Sequence, residues 1–416
     1  MGDNPYGFHD KDGVLHADAL PLPALAGAHG TPLYVYSAGM IRHNIARLRA
    51  ALGPDVLIAY AAKANTNAAI LALMAGNGLG ADVVSGGELQ RALRAGIPAE
   101  RIVFSGVGKT DAELVLAIET GIAQINVESE AELERLLDLD PRRDVRVAFR
   151  LNPDVETETT HEKISTGHGR SKFGMPATEI ARLYRSLAGH KTIRPTGLSM
   201  HIGSQLTTLD PIKDAFQILA AQAKALAVET IDFGGGLGIV YTDEEPVDLD
   251  GYGRLVDTLL RPLGARLMTE PGRFLVGNAG LLLTRITHIK TTPHQPMIIL
   301  DAGMNDLMRP ALYDAVHTLH PVTHSEAETV LYDVAGPVCE SSDFFMRATS
   351  LPALRRGDLM ALMNAGAYGM SMAGTYNSRP IPAEILVDGE RSAVIRARQT
   401  LDDMIRGETI PDWVRK

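Results

Sequence analysis

The feature that most constrains this chain is an alternation of short β-rich runs with longer amphipathic segments between residues 57 and 271. In the longer segments, apolar residues recur at i, i+3, i+4 and i+7, which is typical of one face of an α-helix. Strands that alternate with such helices form parallel βα units. The β-rich runs lie at 57–62, 81–85, 101–106, 124–129, 146–153, 197–203, 230–236 and 266–271. Eight runs of this kind predict an α/β fold, a closed (β/α)8 TIM barrel.

The pattern changes after Pro271, where predicted strands follow one another with little helix between them. These strands lie at 281–290, 297–303, 329–336, 358–366 and 383–399. Such a succession indicates a second, β-rich domain. The N-terminal 35 residues contain one short strand, TPLYVYS, and we expect them to accompany one of the two domains.

Charge and composition exclude several classes of protein. The formal net charge of −10 provides no positive field for nucleic acid or an anionic membrane. Cys339 is the single cysteine, so neither an intramolecular disulfide nor a cysteine-based zinc cluster can form. No apolar run approaches the roughly 18 residues of a membrane span, and the first residues lack the pattern of a signal peptide. We therefore expect a soluble, cytoplasmic protein that binds neither nucleic acid nor a membrane.

Polar residues lie at the predicted carboxyl ends of the barrel strands, where barrel enzymes carry out their chemistry. Lys63 directly follows the first strand, and desolvation there favours the neutral amine, which is a Schiff-base nucleophile. A lysine that reaches solvent or pairs with a neighbouring carboxylate would fit this position equally well. The other strand ends carry Ser85, Ser105, Glu128, Arg150, His201, the glycines 234–236 and Glu270.

Three of these strand ends have more than one interpretation. The GGGLG run at 234–238 could present backbone N–H groups to a phosphate, although glycine-rich turns without a ligand are common. Glu270, in the motif TEPGR, could keep a pyridinium nitrogen protonated or could pair with Arg273. His201 could stack on a ring, transfer protons or make a structural hydrogen bond. No metal-ligand spacing surrounds His201, so we expect no metal.

In this order along the chain, these features resemble the alanine racemase-like, fold-type III family of pyridoxal phosphate enzymes. The motifs YAAKAN, GADVVSGGE, HIGSQ, DFGGGLG and TEPGR are similar to those of the group IV amino-acid decarboxylases. Four further segments resemble the diaminopimelate decarboxylases of that group. They are HEKISTGHGRSKFG (161–174), DAGMNDLMRPALYDA (301–315), GPVCESSDF (336–344) and NAGAYGMSM (364–372).

The resemblance implies that residues 36–276 form the barrel that binds pyridoxal 5'-phosphate. Residues 1–35 and 277–416 would form the β-rich barrel or sandwich domain. Lys63 would carry the cofactor as a Schiff base, His201 would stack on its ring and Glu270 would face its ring nitrogen. The remaining cofactor contacts would come from Ser204, Gly235, Gly236, Pro271, Gly272, Arg273 and Tyr368.

The activity that the resemblance implies is decarboxylation of meso-2,6-diaminopimelate to L-lysine and carbon dioxide, the last step of lysine biosynthesis. Cys339 would donate the proton that replaces the carboxylate, although an inert packing role is the commoner fate of a single cysteine. In this family, Cys339 and Glu340 would reach the cofactor of the other subunit, so we expect a homodimer. The substrate-binding residues would be Arg273, Arg309, Tyr313, Glu340 and Tyr368.

The residue types agree with such a substrate, because guanidinium groups bind carboxylates bidentately and a carboxylate binds an amine. An ornithine or arginine decarboxylase would need no second carboxylate clamp, so Arg309 and the 161–174 motif argue against it. Alanine racemase would require a second acid–base tyrosine in place of Cys339 and Glu340. A non-catalytic cofactor carrier would lack the second domain, whereas about 140 residues follow the barrel here.

Overall fold

A computed structural model describes residues 6–155 and 172–415 of the 416-residue chain. Most of the 161–174 motif therefore lies outside the described residues. The chain divides into two compact units, Ile41–Gly277 and a unit that combines the residues up to Met40 with those from Asn278 onward. Among the described residues, no helix is both long enough and apolar enough to cross a membrane.

The N-terminal segment begins with a small antiparallel sheet, whose strands pair in sequence order. These strands are β1 (Phe8–Lys11), β2 (Val14–Ala17) and β3 (Leu20–Pro21). They are followed by helix α1 (Leu22–His29), strand β4 (Leu33–Ser37) and helix α2 (Ala38–Leu52). Every residue of β4 is buried, which is expected of a strand with neighbours on both sides.

Ile41–Gly277 contains a closed barrel of eight parallel strands. Each strand pairs with the next one in sequence, and the last pairs with the first. The strands are β5 (Leu57–Ala61), β6 (Gly80–Val83), β7 (Ile102–Phe104), β8 (Gln124–Val127), β9 (Val145–Leu151), β10 (Ile193–Met200), β11 (Thr230–Asp232) and β12 (Arg266–Thr269). Each of the eight predicted runs overlaps one strand, so the predicted barrel is confirmed.

Helices alternate with the barrel strands, as the sequence period predicted. They are α3 (Ala68–Gly76), α4 (Gly86–Arg94), α5 (Asp111–Thr120), α6 (Glu130–Asp138), α7 (Ala177–Ser186), α8 (Asp210–Leu226), α9 (Leu249–Leu255) and α10 (Arg273–Val276). Polar N-caps start five of them: the side chains of Asn67, Ser85, Thr110, Ser129 and Asp248 accept hydrogen bonds from first-turn backbone N–H groups. Ser85, which sequence analysis placed at a strand end, is therefore the N-cap of α4.

The strands of the second unit are β13 (Gly280–Lys290), β14 (Met297–Leu300), β15 (Leu319–Pro321), β16 (Thr329–Ala335), β17 (Phe344–Pro352), β18 (Leu359–Leu362), β19 (Ala383–Asp388) and β20 (Arg391–Arg396). Its helices include α11 (Arg309–Tyr313) and α12 (Leu401–Ile405). The main sheet has the order β17-β16-β14-β13-β4-β19-β20, and β18 pairs with both β13 and β15. The N-terminal strand β4 is therefore a central strand of this sheet.

The predicted strands of this unit are present, but among the described residues sequence analysis missed five others, namely β1, β2, β3, β15 and β17. In β17 the buried residues do not alternate regularly with exposed ones, and among the described residues the strand pairs with β16 alone. The short β15 carries only one fully buried residue. The predicted strand 358–366 ends earlier, at Leu362, and Asn364 then adopts a left-handed φ of 57°. A hydrophobic core that includes Leu22, Val35, Leu283, Val322 and Ile385 stabilises the unit.

Candidate active site

Lys63 follows β5 in a single 3-10 turn, Ala62–Ala64, at the carboxyl end of the barrel. Its Nζ lies 3.0 Å from Oδ2 of Asp82, which is fully buried on the neighbouring strand β6. The lysine side chain is 35% exposed, so the amine remains accessible beside a buried carboxylate. Pairing with a neighbouring carboxylate was one interpretation of this lysine, and the structure shows that pair.

Glu270 directly follows β12 and is buried among polar side chains from three other strands or strand ends. Its Oε1 accepts hydrogen bonds from Ser105 Oγ at 3.1 Å and from Asn126 Nδ2 at 3.2 Å. The same Asn126 Nδ2 lies 3.3 Å from Oδ2 of Asp232, a residue of β11 that is fully buried. Two carboxylates thus share one amide donor inside the barrel.

Two more side chains fix the orientation of that amide. Asn126 Oδ1 accepts a hydrogen bond from Gln124 Nε2 at 2.7 Å. Gln124 Oε1 in turn accepts one from Thr230 Oγ1 at 2.9 Å. Because carboxylate oxygens accept hydrogen bonds, Asn126 must direct its NH2 group towards them and its carbonyl towards Gln124. The chain from Thr230 to Asn126 therefore points its donors at the carboxylate pair.

Burial and mutual repulsion raise the affinity of both carboxylates for protons. Burial raises the pKa of Glu270 well above its ordinary value, and the neighbouring charges of Asp232 and Asp82 raise it further, while Lys63 lowers it. Burial also raises the pKa of Asp232, against the hydrogen bonds that it accepts. Like charges so close together in a buried site cannot both ionise easily.

His201 directly follows β10, and its ring faces the glycine turn after β11. Its Nδ1 accepts a hydrogen bond from the backbone N–H of Gly235 at 3.3 Å. Burial lowers the pKa of His201 well below its ordinary value, and the positive charges of Lys63 and Arg150 lower it further. His201 is therefore a neutral, flat ring at neutral pH.

The glycine turn requires residues without side chains because other backbone atoms approach it closely. A Cβ on Gly234 would lie 2.0 Å from the carbonyl oxygen of Met200, and Gly234 has a left-handed φ of 73°. A Cβ on Gly235 would lie 2.1 Å from the carbonyl oxygen of Glu270. A Cβ on Gly236 would lie 2.4 Å from the carbonyl oxygen of Gly203. The turn therefore packs tightly between the ends of β10 and β12.

Arg273 is the first residue of α10, three residues after Glu270, and is buried. It donates hydrogen bonds to Tyr241 Oη at 2.6 Å and to Ser204 Oγ at 3.1 Å. Glu270 makes its hydrogen bonds with Ser105 and Asn126, as described above, and not with Arg273. Between them, Pro271 accepts a hydrogen bond from Ala61 N–H, and a Cβ on Gly272 would lie 3.1 Å from that of Ala61. The turn is thereby fixed to the end of β5.

Two buried ion pairs stabilise neighbouring strand ends. Arg150 Nη1 donates to Glu128 Oε1 at 2.7 Å, and the same carboxylate accepts hydrogen bonds from the backbone N–H groups of Gly106 and Gly174. Lys109 Nζ lies 2.7 Å from Glu132 Oε1. Glu128 and Arg150, which sequence analysis placed at strand ends, therefore pair with each other.

Arg309 and Tyr313 lie in α11 of the second unit. Arg309 is buried, and its Nη1 lies 2.7 Å from Nε2 of His317. Since a guanidinium can only donate, Nε2 must be the unprotonated nitrogen of His317. Nδ1 of His317 then donates to the carbonyl oxygen of Met363 at 2.8 Å. This bond holds His317 as the acceptor for Arg309.

Cys339 and Glu340 lie in the loop between β16 and β17, and both are exposed. The backbone N–H of Cys339 donates to Oδ1 of Asn377 at 2.6 Å. The carboxylate of Asp343 accepts hydrogen bonds from the backbone N–H groups of Met304 and Val338, at 2.6 and 2.7 Å. Backbone contacts therefore give the loop its conformation.

Tyr368 also belongs to the second unit and adopts a left-handed φ of 55°. Non-glycine residues rarely adopt this conformation, which marks a position where the surroundings dictate the backbone. Next to it, a Cβ on Gly369 would lie 2.5 Å from the carbonyl oxygen of Ala365. The segment is thus closely packed.

The predicted site residues therefore fall into two groups. Nine belong to Ile41–Gly277: Lys63, His201, Ser204, Gly235, Gly236, Glu270, Pro271, Gly272 and Arg273. Five belong to the other unit: Arg309, Tyr313, Cys339, Glu340 and Tyr368. Sequence analysis missed four polar residues that contact the first group directly or, for Asp232, through Asn126, namely Asp82, Asn126, Asp232 and Tyr241. The first three are polar residues within buried strands, which was an available signal.

Comparison with known proteins identifies the family of this chain. A family model described as the pyridoxal binding domain of pyridoxal-dependent decarboxylases matches residues 38–277. A Zymomonas mobilis protein named diaminopimelate decarboxylase is 46% identical over 98% of this chain and 99% of its own length. These two matches cover the barrel unit and nearly the whole chain, respectively.

Solved structures show the same likeness. The diaminopimelate decarboxylase from Helicobacter pylori, complexed with L-lysine, has a TM-score of 0.89 and 40% identity over 92% of this chain and 98% of that one. The enzyme of that name from M. jannaschii, in co-complex with L-lysine, has a TM-score of 0.91 and 37% identity. It covers 98% of this chain and 99% of its own.

The chain therefore belongs to the family of pyridoxal-dependent decarboxylases. Within that family it belongs to the diaminopimelate decarboxylases, and its cofactor is pyridoxal 5'-phosphate.

The residues of the barrel fit this cofactor. A phosphate needs a guanidinium or backbone N–H groups, and the buried guanidinium of Arg273, which contacts Ser204, meets the first need. An aldehyde needs an accessible amine, which Lys63 provides. A pyridine nitrogen needs an acidic partner, and Glu270 is buried with a raised pKa.

Proposed function

We propose that this chain decarboxylates meso-2,6-diaminopimelate to L-lysine and carbon dioxide, with Lys63 as the residue that attaches the cofactor. Its main support is the position of Lys63, whose amine lies 3.0 Å from buried Asp82 at the barrel end that also carries Glu270. The relatives named above support the choice of substrate, since they carry the name diaminopimelate decarboxylase and two were solved with L-lysine.

Pyridoxal phosphate, when bound, supplies a protonated ring that accepts the electrons left by departing carbon dioxide. Glu270 would hold a proton at the ring nitrogen, because its burial and its carboxylate neighbours favour the protonated site. His201, neutral under these conditions, would stack on the ring without competing for that proton. Asp82 would orient the Lys63 amine by accepting a hydrogen bond from it.

The phosphate would lie against Gly235, Gly236 and the turn at Pro271 and Gly272, with Arg273 supplying the positive charge. Ser204 contacts Arg273 at 3.1 Å, which supports a shared role for these two side chains. Tyr368 would complete this set. Together these residues would fix the cofactor so that its reactive end stays beside Lys63.

The substrate carries two carboxylates and two amines, so it needs positive and negative partners. Arg309 and Arg273 would bind carboxylates, because a guanidinium matches a carboxylate in a bidentate geometry. Glu340 would bind the distal amine, and Tyr313 and Tyr368 would contact the substrate. The hydrogen bond from Arg309 to His317 supports a fixed guanidinium.

Cys339 would donate the proton that replaces the lost carboxylate, and it would do so in the site of a partner subunit. The exposure of Cys339 and Glu340 in a single chain supports this arrangement, since an acid acting on a carbanion must be covered from water during the reaction. The enzyme would therefore be a homodimer whose two sites are shared between subunits.

The test is to measure carbon dioxide release from meso-diaminopimelate, ornithine and arginine in the purified enzyme with added cofactor, together with alanine racemisation. Release from diaminopimelate alone is the expected result, because ornithine and arginine lack the second carboxylate that Arg309 would bind. Preferential release from ornithine or arginine, or racemisation of alanine, would contradict the proposal.

A further inference from the structure

The charges inside the barrel do not balance if every carboxylate is ionised. Three buried carboxylates, Asp82, Asp232 and Glu270, lie together, and Lys63 makes its ion pair with Asp82. The hydrogen-bond donors to Asp232 and Glu270 are neutral: Ser105 Oγ, Asn126 Nδ2 and the backbone N–H of Gly234, the last at 3.0 Å from Asp232 Oδ1. The positive charge of Lys63 also acts on Glu270, but its Nζ lies 3.0 Å from Asp82, so one ammonium faces three carboxylates.

Asn126 brings the two carboxylates together. Its Nδ2 lies 3.3 Å from Asp232 Oδ2 and 3.2 Å from Glu270 Oε1, so one oxygen of each carboxylate borders a single nitrogen. Gln124 and Thr230 fix the direction of this amide from behind. Two ionised carboxylates around one neutral donor in a buried site would be strongly unfavourable. One proton bound by the pair removes that repulsion.

We propose that Asp232 and Glu270 bind a single proton between them, and that Asp232 is the positioning residue that keeps this proton available on Glu270 for the cofactor's ring nitrogen. The role of this proton towards the cofactor rests on the proposed function. The shared proton itself does not, because it is a property of the chain without cofactor. Asp232 would act through Glu270 and would not touch the cofactor.

The proton balance of this step is simple. With the cofactor bound, Glu270 would give this proton to the ring nitrogen, so the carboxylate pair would gain one negative charge and the ring one positive charge. The remaining charged neighbours are Asp82 and Lys63, which already compensate each other at 3.0 Å. Tyr252 also lies near Asp232, and because burial raises its pKa, its hydroxyl stays neutral. No other donor or acceptor is needed.

The test uses Asp232→Asn, measured first in the cofactor-free protein. Glu270 and Asp232 have raised pKa values in the folded state, so their contribution to stability is full at acidic pH and is lost as the pH rises through those values. The variant removes one carboxylate of the pair, so its unfolding midpoint should fall less steeply with pH than that of the wild type. Near pH 8 it should exceed the wild-type midpoint by about 2–4 °C, with no such gain near pH 5.

Two further variants keep this test decisive. Glu270→Gln removes the other carboxylate, and it should flatten the pH dependence in the same way because the pair titrates as a unit. Ser199→Ala deletes a buried hydroxyl on the barrel strand β10 that has no hydrogen-bond partner among the described residues. Its unfolding midpoint should therefore keep the pH dependence of the wild type. A purely structural role for Asp232 predicts that Asp232→Asn lowers the midpoint equally at all pH values, and that result would overturn the shared proton.

The holoenzyme then tests the second half of the inference. Without the charge of Asp232, Glu270 should lose its proton more easily, so the alkaline limb of the kcat profile should move to lower pH by about one unit. If the cofactor-free midpoints behave as expected while neither variant changes decarboxylation, the shared proton stands and the proposed role of Glu270 towards the cofactor fails. If the midpoints keep the wild-type pH dependence, the shared proton is wrong whatever the activity of the enzyme.

Discussion

The barrel end around Glu270 and the loop around Cys339 hold their reactive groups in different ways. Glu270 is buried and makes hydrogen bonds to Ser105 and Asn126, side chains of the same compact unit. Cys339 and Glu340 are exposed, and the loop takes its shape mainly from backbone contacts with Asp343 and Asn377. The comparison shows that side chains within one compact unit hold Glu270, whereas the side chains of Cys339 and Glu340 are exposed, as the proposed sharing of the site between subunits requires.

The largest expected effect lies on the barrel side. Lys63→Ala should abolish the visible absorbance of bound cofactor and nearly all turnover, because it removes the amine that would attach the cofactor. Lys63→Arg is the matched control, since it keeps a positive charge beside Asp82 but cannot form the attachment. Both variants should therefore be inactive, and Lys63→Arg should unfold at a temperature closer to that of the wild type. An absorbance spectrum and a carbon dioxide assay measure the result, and a coloured, active Lys63→Ala protein would refute the assignment.

The eight strands and the polar residues at their ends could be predicted, because both depend on local patterns: strand runs, helical periods and the residue that follows each strand. Asp82, Asn126 and Asp232 could not be assigned a role in the same way. Asn126 contacts Asp232, which is 106 residues further along the chain, and this contact exists only because the barrel closes. Which polar residues inside strands meet each other is a property of the closed sheet.

Two features of the second unit, strand β17 and the contact of His317, could not be predicted from the local sequence pattern either. The edge strand β17 has irregularly buried residues, so its sequence lacks the alternation that identifies a half-buried strand. His317 was not singled out, since only the fold brings its ring to Arg309 and to the carbonyl of Met363, 46 residues away. The residues of the Cys339 loop, in contrast, were found by their resemblance to a family motif.

The next largest effect should lie in that loop. Cys339→Ala should leave cofactor absorbance intact while kcat falls on the order of 10² to 10⁴, as expected for the loss of a positioned acid. Ser341→Ala is a matched control, because Ser341 is exposed in the same loop and only its backbone N–H contacts Glu340. It should retain nearly full activity. Steady-state kinetics of both variants check this, and wild-type turnover in Cys339→Ala would reduce Cys339 to a packing role.

A smaller effect is expected at Arg309. Arg309→Lys keeps the charge but loses the planar fork, so KM for diaminopimelate should rise by about tenfold with little change in kcat or in cofactor absorbance. Arg355→Lys provides the control, because Arg355 is an exposed arginine of the same unit that pairs with Asp358. Its KM should equal that of the wild type. An unchanged KM in Arg309→Lys would show that Arg309 has a structural role only.

The smallest effect is a partial recovery of activity. It tests most directly whether the barrel end of one subunit and the Cys339 loop of its partner form one site. If Lys63 of one subunit and Cys339 of its partner form one site, then Lys63→Ala and Cys339→Ala homodimers are each nearly inactive. In a mixed dimer one site would contain both substitutions and the other would contain neither. Random exchange makes about half of the dimers mixed, each with one intact site, so recovery should approach roughly a quarter of wild-type activity. The two chains can be co-expressed with different tags and assayed for carbon dioxide release. If tag pulldown shows mixed dimers whose activity does not exceed the sum of the two variants, both residues serve the same chain's site, and the loop needs no partner to act.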